Sequence, residues 1–328
     1  MHREPVAGVA NKRGMKFVAF RLLAAMVIMG LFAAPGVAAD PVKITVALIP
    51  SESAAQAYYA QDLGYFKAAG LDVTFAPFPG SPPIIAAVSS GAADIGNSVV
   101  GSAVAARSRG ITVKFFAPAG LYLSTAPTAR LVGLKGAAIH TGADLAGKVV
   151  AVTGLADLTY YATKQWVEAS GGNPSAMKFI ELSEPEMLPA LKEHRIDAGI
   201  LIEPFIAAAG DDVASIATID DFVAKRFLAT GWFASDAWLA AHPDIAAKYA
   251  AVMKQTAEWA NTHHKESAAI LLKYTKVSPE IVARMQRATY GTVLDPALLQ
   301  PVIDNAAKYG SFPRPVTAAE LLWTPPGK

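Results

Sequence analysis

The 328-residue chain has no cysteine, so disulfides, thiolate metal sites and thiol nucleophiles are excluded and any fold must rest on its core alone. Long apolar runs are equally scarce. Only Leu22 to Ala33 is continuously apolar, and it falls short of the roughly 20 residues a spanning helix needs. Charged residues make up 17% of the chain and form no basic or acidic block, which removes the electrostatic case for a nucleic-acid or anionic-lipid partner. No Walker loop, GxSxG elbow or dinucleotide fingerprint is present, because Gly142 and Gly147 precede a strand with the wrong spacing. His263 and His264 are neighbours on a predicted helix and face different directions, so they read as a solvated helix end and not as a metal site. No cofactor and no metal are expected.

What is there begins with a three-part export signal. Arg3, Lys12, Arg13, Lys16 and Arg21 precede the apolar run, and Pro35-Gly36-Val37-Ala38-Ala39 follows with small residues at Val37 and Ala39. Residues 1–39 are therefore expected to be a cleaved signal peptide, with Asp40 as the new N-terminus and the periplasm as destination. Its five basic residues and Glu4 carry away +4, which turns the whole-chain charge of +2 into −2 for residues 40–328. The remaining length, with 53% hydrophobic residues in the chain, exceeds a usual single core and predicts two domains.

From Asp40 onward, short β-type runs alternate with helical stretches, the grammar of a mainly parallel sheet with helices on both faces. Strands are expected at 42–48, 71–75, 94–96 and 113–117, with helices over 53–69, 84–90 and 99–109 between them. The pattern restarts after a polar break at 124–128, with strands at 129–134, 149–152, 178–182 and 196–202 and helices at 157–170 and 183–194. Ser183 and Glu186 form a capping box for the last of these. Beyond Ser235 the chain reads as helices at 244–264, 279–288 and 296–309. The fold class is α/β.

In open α/β sheets, ligands sit beyond the carboxyl ends of the strands, where loops lead into helix N-termini. That rule nominates Ser51, Glu52 and Ser53, then Gly80 and Ser81, then Asn97 and Ser98 in the first block. In the second it nominates Thr153, Asp157, Thr159 and Glu203. Helix capping needs the same residue types and competes with ligand contact at each position.

The run Tyr58-Tyr59-Ala60-Gln61-Asp62-Leu63-Gly64-Tyr65-Phe66-Lys67-Ala68-Ala69-Gly70-Leu71-Asp72-Val73 resembles the opening signature of the nitrate/sulfonate/taurine-type substrate-binding proteins, which include binders of thiamine-precursor pyrimidines. Gly80-Ser81 with 86–96, Ala143 to Val152, and Ala190-Leu191 with 196–199 and Glu203-Pro204 are similar to further signatures, in order, over about 40–205. The resemblance implies a two-lobed periplasmic-binding-protein fold (type II), joined by two crossovers and closing on its ligand by a hinge. Lobe 1 would comprise 40–126 and 230–328, lobe 2 would comprise 127–229. It also implies a monomeric, extracytoplasmic receptor without enzymatic activity, whose partners are a small-molecule ligand (a sulfonate, carboxylate or nitrogen heterocycle) and an ABC transporter permease with its cytoplasmic ATPase. A pyrimidine-synthase-like enzyme of the same fold and a sensory receptor are the alternatives.

Among the candidates, Glu203 follows a buried strand and is expected to face the cleft, and Trp232, beside Gly231 near the return crossover, is expected to touch the ligand. Tyr160 and Tyr161 read as an aromatic wall or as core. If Glu52, Asp157 or Glu203 face the ligand in pairs, that ligand should carry N–H donors or positive charge. If the hydroxyls of Ser51, Ser53, Ser81, Ser98, Thr153 and Thr159 dominate, an anion fits as well.

Overall fold

The computed structural model describes residues 1, 2, 4, 40–310 and 312–326. The expected signal peptide lies almost wholly outside the described residues. Residues 41–328 form one compact unit.

The elements follow in chain order. β1 (Val42–Leu48) leads through a 3-10 turn at Glu52–Ala54 to α1 (Ala55–Asp62) and α2 (Tyr65–Ala68), then to β2 (Leu71–Pro77) and α3 (Ser81–Ser90). β3 (Ile95–Val99), α4 (Val100–Ser108), β4 (Val113–Pro118) and β5 (Gly120–Leu123) complete the first stretch. β6 (Ala129–Leu134), β7 (Val149–Val152), α5 (Leu158–Ala169), β8 (Lys178–Glu181), α6 (Glu184–Lys192), β9 (Ala198–Ile202), α7 (Phe205–Ala209) and β10 (Val213–Ala217) form the second. A 3-10 turn at Ile219–Phe222 precedes β11 (Arg226–Leu228) and β12 (Thr230–Ser235). The remainder is α8 (Asp236–Ala241), α9 (Pro243–Ala260), α10 (His264–Tyr274), α11 (Pro279–Arg284), β13 (Thr289–Tyr290), α12 (Pro296–Tyr309) and α13 (Ala318–Leu321).

Two five-stranded sheets repeat one plan. The first runs β2-β1-β3-β12-β4, with β1 parallel to β2 and β3 and with β12 antiparallel to its neighbours. The second runs β10-β6-β9-β7-β8, with β7 parallel to β8 and β9 and with β6 antiparallel to β9 and β10. This is the two-lobed periplasmic-binding-protein fold. Between the sheets the two crossovers pair with each other: β5, leaving the first sheet, and β11, returning to it, are antiparallel with Phe227 opposite Tyr122, and β13 covers the other side of β5.

Side-chain alternation places a core on each face of both sheets. Val46 and Leu48 of β1 pack with Tyr59, Trp232, Tyr249 and Met253, whereas Ala47 faces the opposite cluster with Ile84, Val88 and Phe115. In the second sheet Val150 and Val152 join Leu131, Tyr161 and Trp166, while Ala151 packs with Val132, Met187 and Leu191. The cluster containing Ala47 and Val150 is continuous across both sheets because α12 supplies Leu299, Val302, Ile303 and Ala306 between them.

Several elements depart from expectation, among them the helix expected over 279–288, which ends at Arg284 where Met285 turns extended. The helix expected over 53–69 is broken at Gly64, whose backbone is left-handed at φ 75°. The helix expected over 244–264 ends at Ala260, and α10 begins at His264. β5, β10, β11, β12 and β13 had no counterpart among the expected strands, since runs such as Gly120–Leu123 are too short for a period of two to register. By contrast, the Ser183–Glu186 capping box is present, and Gly91 closes α3 at φ 78°.

Candidate functional site

The carboxyl ends of β1, β2 and β3 and those of β7, β8 and β9 carry the nominated loops, and the two sets meet at α4 and α5. A Cβ placed on Gly101 in the first turn of α4 would lie 3.3 Å from the backbone nitrogen of Leu158 and 3.8 Å from the Cα of Asp157. The lobes therefore touch backbone to backbone. At their flank α12 packs against α4 and α5 together. There Lys308 pairs with Glu168 at 2.9 Å, the Tyr309 hydroxyl donates to the same carboxylate at 2.7 Å, and Asn305 bonds Gln165. The C-terminal helices thus belong to both lobes in contact terms, beyond a simple return to the first.

On the first lobe, the hydroxyls of Ser51 and Ser53 are 2.9 Å apart and half-buried, and Ser53 stands 3.9 Å from the Cβ position of Gly120 at the start of hinge strand β5. Gly80 is the extended N-cap of α3, and the Ser81 hydroxyl accepts from Val99 N–H at 3.3 Å. Asn97 and Ser98 are buried, the former donating weakly to Gly231 at 3.5 Å and the latter to Val99 at 3.1 Å.

Two first-lobe expectations are corrected. Glu52 does not present its carboxylate to the cleft but points inward, where Arg287 Nε donates at 2.7 Å, Ala288 N–H at 3.3 Å and the Tyr59 hydroxyl at 3.3 Å. Burial pushes the Glu52 carboxyl up and Arg287 pulls it back, while the charge of Glu52 holds the guanidinium above its ordinary value. Trp232 likewise turns inward: it is fully buried in the first sheet, its indole N–H donates to Gln56 at 2.8 Å, and its ring meets Tyr249 edge-on at 5.6 Å. β12 turns Trp232 toward α1 and α9, a direction that adjacency to the hinge did not reveal.

On the second lobe, Thr153, Asp157 and Thr159 form a closed circuit. Asp157 caps α5, taking Thr159 N–H at 2.9 Å, the Thr159 hydroxyl at 2.6 Å, Tyr160 N–H at 3.3 Å and the Thr153 hydroxyl at 2.8 Å. Burial pushes this carboxyl up and those bonds pull it down. Glu203 is 8% exposed and doubly engaged: one oxygen accepts from Ala207 at the start of α7, the other from Gln286 at 3.1 Å. It therefore fastens the end of β9 to the segment before β13. Burial raises the Glu203 carboxyl against the pull of these two N–H groups. Tyr161 is core, and Tyr160 packs on Phe179 with the Lys164 ammonium 4.8 Å from its ring centre.

Two acids of this region escaped the sequence reading. Glu184 occupies the first position of α6, directly beyond β8. Burial, with the Asp157 charge nearby, pushes its carboxyl up to about 8. Asp220 sits in the 3-10 turn that packs on α5; it is 6% exposed, and burial with Asp221 and Asp157 pushes it up to about 7. Among the described residues neither carboxylate receives a hydrogen bond or an ion pair. The available signal was an acidic doublet, Asp220-Asp221, inside an apolar stretch from Ile219 to Ala224. A cavity of about 400 Å³ lined by Leu134, Lys135, Lys148, His194 and Asp197 lies at the amino ends of β7 and β9, away from these loops. No set of three His, Cys, Asp or Glu side chains among the described residues is placed to hold a metal ion.

The chain is similar in structure to the periplasmic aliphatic sulphonate binding protein SsuA from Escherichia coli, at 16% identity and TM-score 0.72 over 86% of this chain and 98% of that one. The alkanesulfonate-binding protein SsuA from Xanthomonas axonopodis pv. citri, bound to MOPS, gives 16% identity and TM-score 0.71 over 87% and 99%. The periplasmic nitrate-binding protein NrtA from Synechocystis gives 14% and 0.64 over 75% and 69%. At such identities the likeness concerns the fold. A comparison with curated proteins finds no match. The family model described as "NMT1/THI5 like" matches residues 52–267, about two thirds of the sequence, and the chain belongs to that family.

Proposed function

We propose that the chain is the extracytoplasmic solute-binding receptor of an ABC importer, capturing one small organic molecule by closing two lobes over it. The observation that carries the reading is the meeting of both sets of strand carboxyl ends at the Gly101–Leu158 contact, a closed arrangement over polar loops from two sheets. A ligand touching both lobes favours the closed state by its differential affinity. In this reading lobe 1 comprises 40–126 and 230–328, lobe 2 comprises 127–229, and residues 1–39 direct a monomer to the periplasm and are removed. Ser51, Ser53, Gly80, Ser81, Asn97 and Ser98 line one wall, while Thr153, Asp157, Thr159 and Glu203 shape the other. The engaged state of Asp157 and Glu203 makes their role one of shaping the wall and setting its charge. A permease with its ATPase would receive the loaded protein, and no catalytic step is assigned.

The test is to purify the protein from the periplasmic fraction, confirm Asp40 as its N-terminus, and follow thermal unfolding against sulfonates, carboxylates and nitrogen heterocycles. A ligand at about 100 times its dissociation constant adds roughly 2.7 kcal/mol, a rise of several degrees. Turnover of any bound compound would favour the enzyme of the same fold. Retention in the cytoplasm, or no stabilisation by any class and no co-purifying molecule, would overturn the receptor reading.

A further inference from the structure

Resting on the receptor reading, we propose that the second lobe's wall of the cleft is built for an organic ligand carrying a protonated nitrogen, with Asp220 as its direct partner and the carboxyls of Glu184 and Asp157 beside it. Asp157 and Glu184 stand at the starts of α5 and α6, beyond the neighbouring parallel strands β7 and β8, where an α/β fold places its ligand. Asp220 comes from a different part of the chain, the turn Ile219–Phe222 that packs on α5, and it is the unusual member. It is 94% buried by its 6% exposure, and its carboxylate has no partner among the described residues.

The nearby donors and cations make their contacts elsewhere, and none of them bonds Asp220 among the described residues. The Tyr122 hydroxyl donates to Asp221 at 2.7 Å, Lys225 pairs with Asp221 at 3.1 Å, and Arg130 donates to Thr218 at 3.1 Å. Burying a carboxylate unpaired is costly, and a cation brought by the ligand supplies what the protein withholds.

The same geometry argues against an anion at this wall. Anions are held by the free N–H groups of a helix start. Here the start of α5 gives Thr159 and Tyr160 N–H to Asp157, and the start of α6 is closed by the box between Ser183 and Glu186. On this lobe the two helix starts that would take a sulfonate are occupied by the protein's own carboxylates, whereas the starts of α3 and α4 on the first lobe carry no side-chain cap. A metal ion lacks a ligand set among the described residues, which leaves an organic cation.

The experiment is isothermal titration of the full protein, at about pH 7.5, with amine, alcohol and sulfonate versions of propyl, benzyl, pyridylmethyl and pyrimidinylmethyl frames. In at least one frame the amine is expected to bind about 10–100-fold tighter than its two counterparts, the range of a hydrogen bond to a charged group. Binding should release protons, seen as different heats in Tris and phosphate, and affinity should fall on acidification to about pH 6 as Asp220 takes up a proton. Asp220→Asn should lose most of the amine preference and Glu184→Gln part of it, with unfolding curves showing that both variants fold. If a sulfonate or alcohol binds tightest, or Asp220→Asn leaves the amine unaffected, the cation proposal fails while the receptor reading stands. If no member of any frame binds, the cation proposal fails, and the receptor reading is decided by the thermal-unfolding panel and the search for a co-purifying molecule.

Discussion

The substitution Asp220→Asn should stabilise the protein without ligand, by an amount set by pH. Asp220 moves from an ordinary 3.8 to about 7 on folding, because burial and the charges of Asp221 and Asp157 disfavour its ionised form. Its folded value lies above its unfolded one, so between about pH 4 and pH 7 the native state holds a proton that the unfolded chain releases. Stability from this group is therefore retained at low pH and lost as pH rises, with the full penalty reached above about pH 7. A shift of about three units at 1.36 kcal/mol each amounts to ~4 kcal/mol. Asparagine cannot ionise, so the gap between variant and wild type should widen from little at about pH 4 to ~4 kcal/mol at about pH 8. For a chain of this length that corresponds to about 8 °C in melting temperature. Differential scanning calorimetry of both proteins between those limits measures it. Parallel profiles, or a variant less stable than wild type at the alkaline end, would refute the claim that Asp220 is buried without compensation.

Three further outcomes follow from other contacts. Gly101→Val places a branched side chain against Leu158 N, where even a Cβ stands at 3.3 Å, so it should wedge the lobes apart; small-angle scattering should show a larger radius of gyration, and an unchanged one would mean that α4 and α5 are not the closing contact. Arg287→Met leaves Glu52 buried without its guanidinium and should cost about 3–5 kcal/mol in urea unfolding, much of it recovered when Glu52→Gln is added. Trp232→Ala removes a fully buried ring and should cost about 3–5 kcal/mol, with any loss of ligand affinity tracking the unfolded fraction; a folded protein of normal stability that fails to bind would return Trp232 to the cleft.

Periodicity made much of the architecture readable. Val42–Leu48, Ala129–Leu134 and Val149–Val152 are strands within the expected bounds, and the fold's two-block plan is visible in how the pattern restarts after residue 128. The hinge was not readable, because β5 and β11 are four and three residues long and are held by pairing with each other. Pairing between segments a hundred residues apart leaves no local trace. The site was legible in its location and illegible in its chemistry. The strand-end rule reached Asp157, whose oxygens go to backbone N–H groups and threonine hydroxyls, and Glu203, whose oxygens go to backbone N–H groups, and it reached Glu52, whose partner Arg287 lies 235 positions away. Trp232 shows the complementary failure, since nearness to a crossover in sequence says nothing about which face of a strand a side chain takes.

What distinguishes a ligand partner from a structural acid in this cleft is whether its hydrogen-bonding capacity is already used, and the hinge strand explains how Asp220 keeps its own free. β5 is flanked at its start by Ser53 and Thr230 and carries Tyr122 two residues on; the Tyr122 hydroxyl grips Asp221, the immediate neighbour of Asp220. That bond, with the Lys225 pair, consumes Asp221 and anchors the turn, so Asp220 is held in place by its neighbour's contacts and its own carboxylate remains unpaired. The serine loop of the first lobe and the acidic turn of the second thereby both contact one four-residue strand. A hydroxyl-lined wall and an unpaired carboxylate suit a ligand with an acceptor-bearing end and a cationic end. On the cation proposal, the strand that joins the lobes also takes part in recognition.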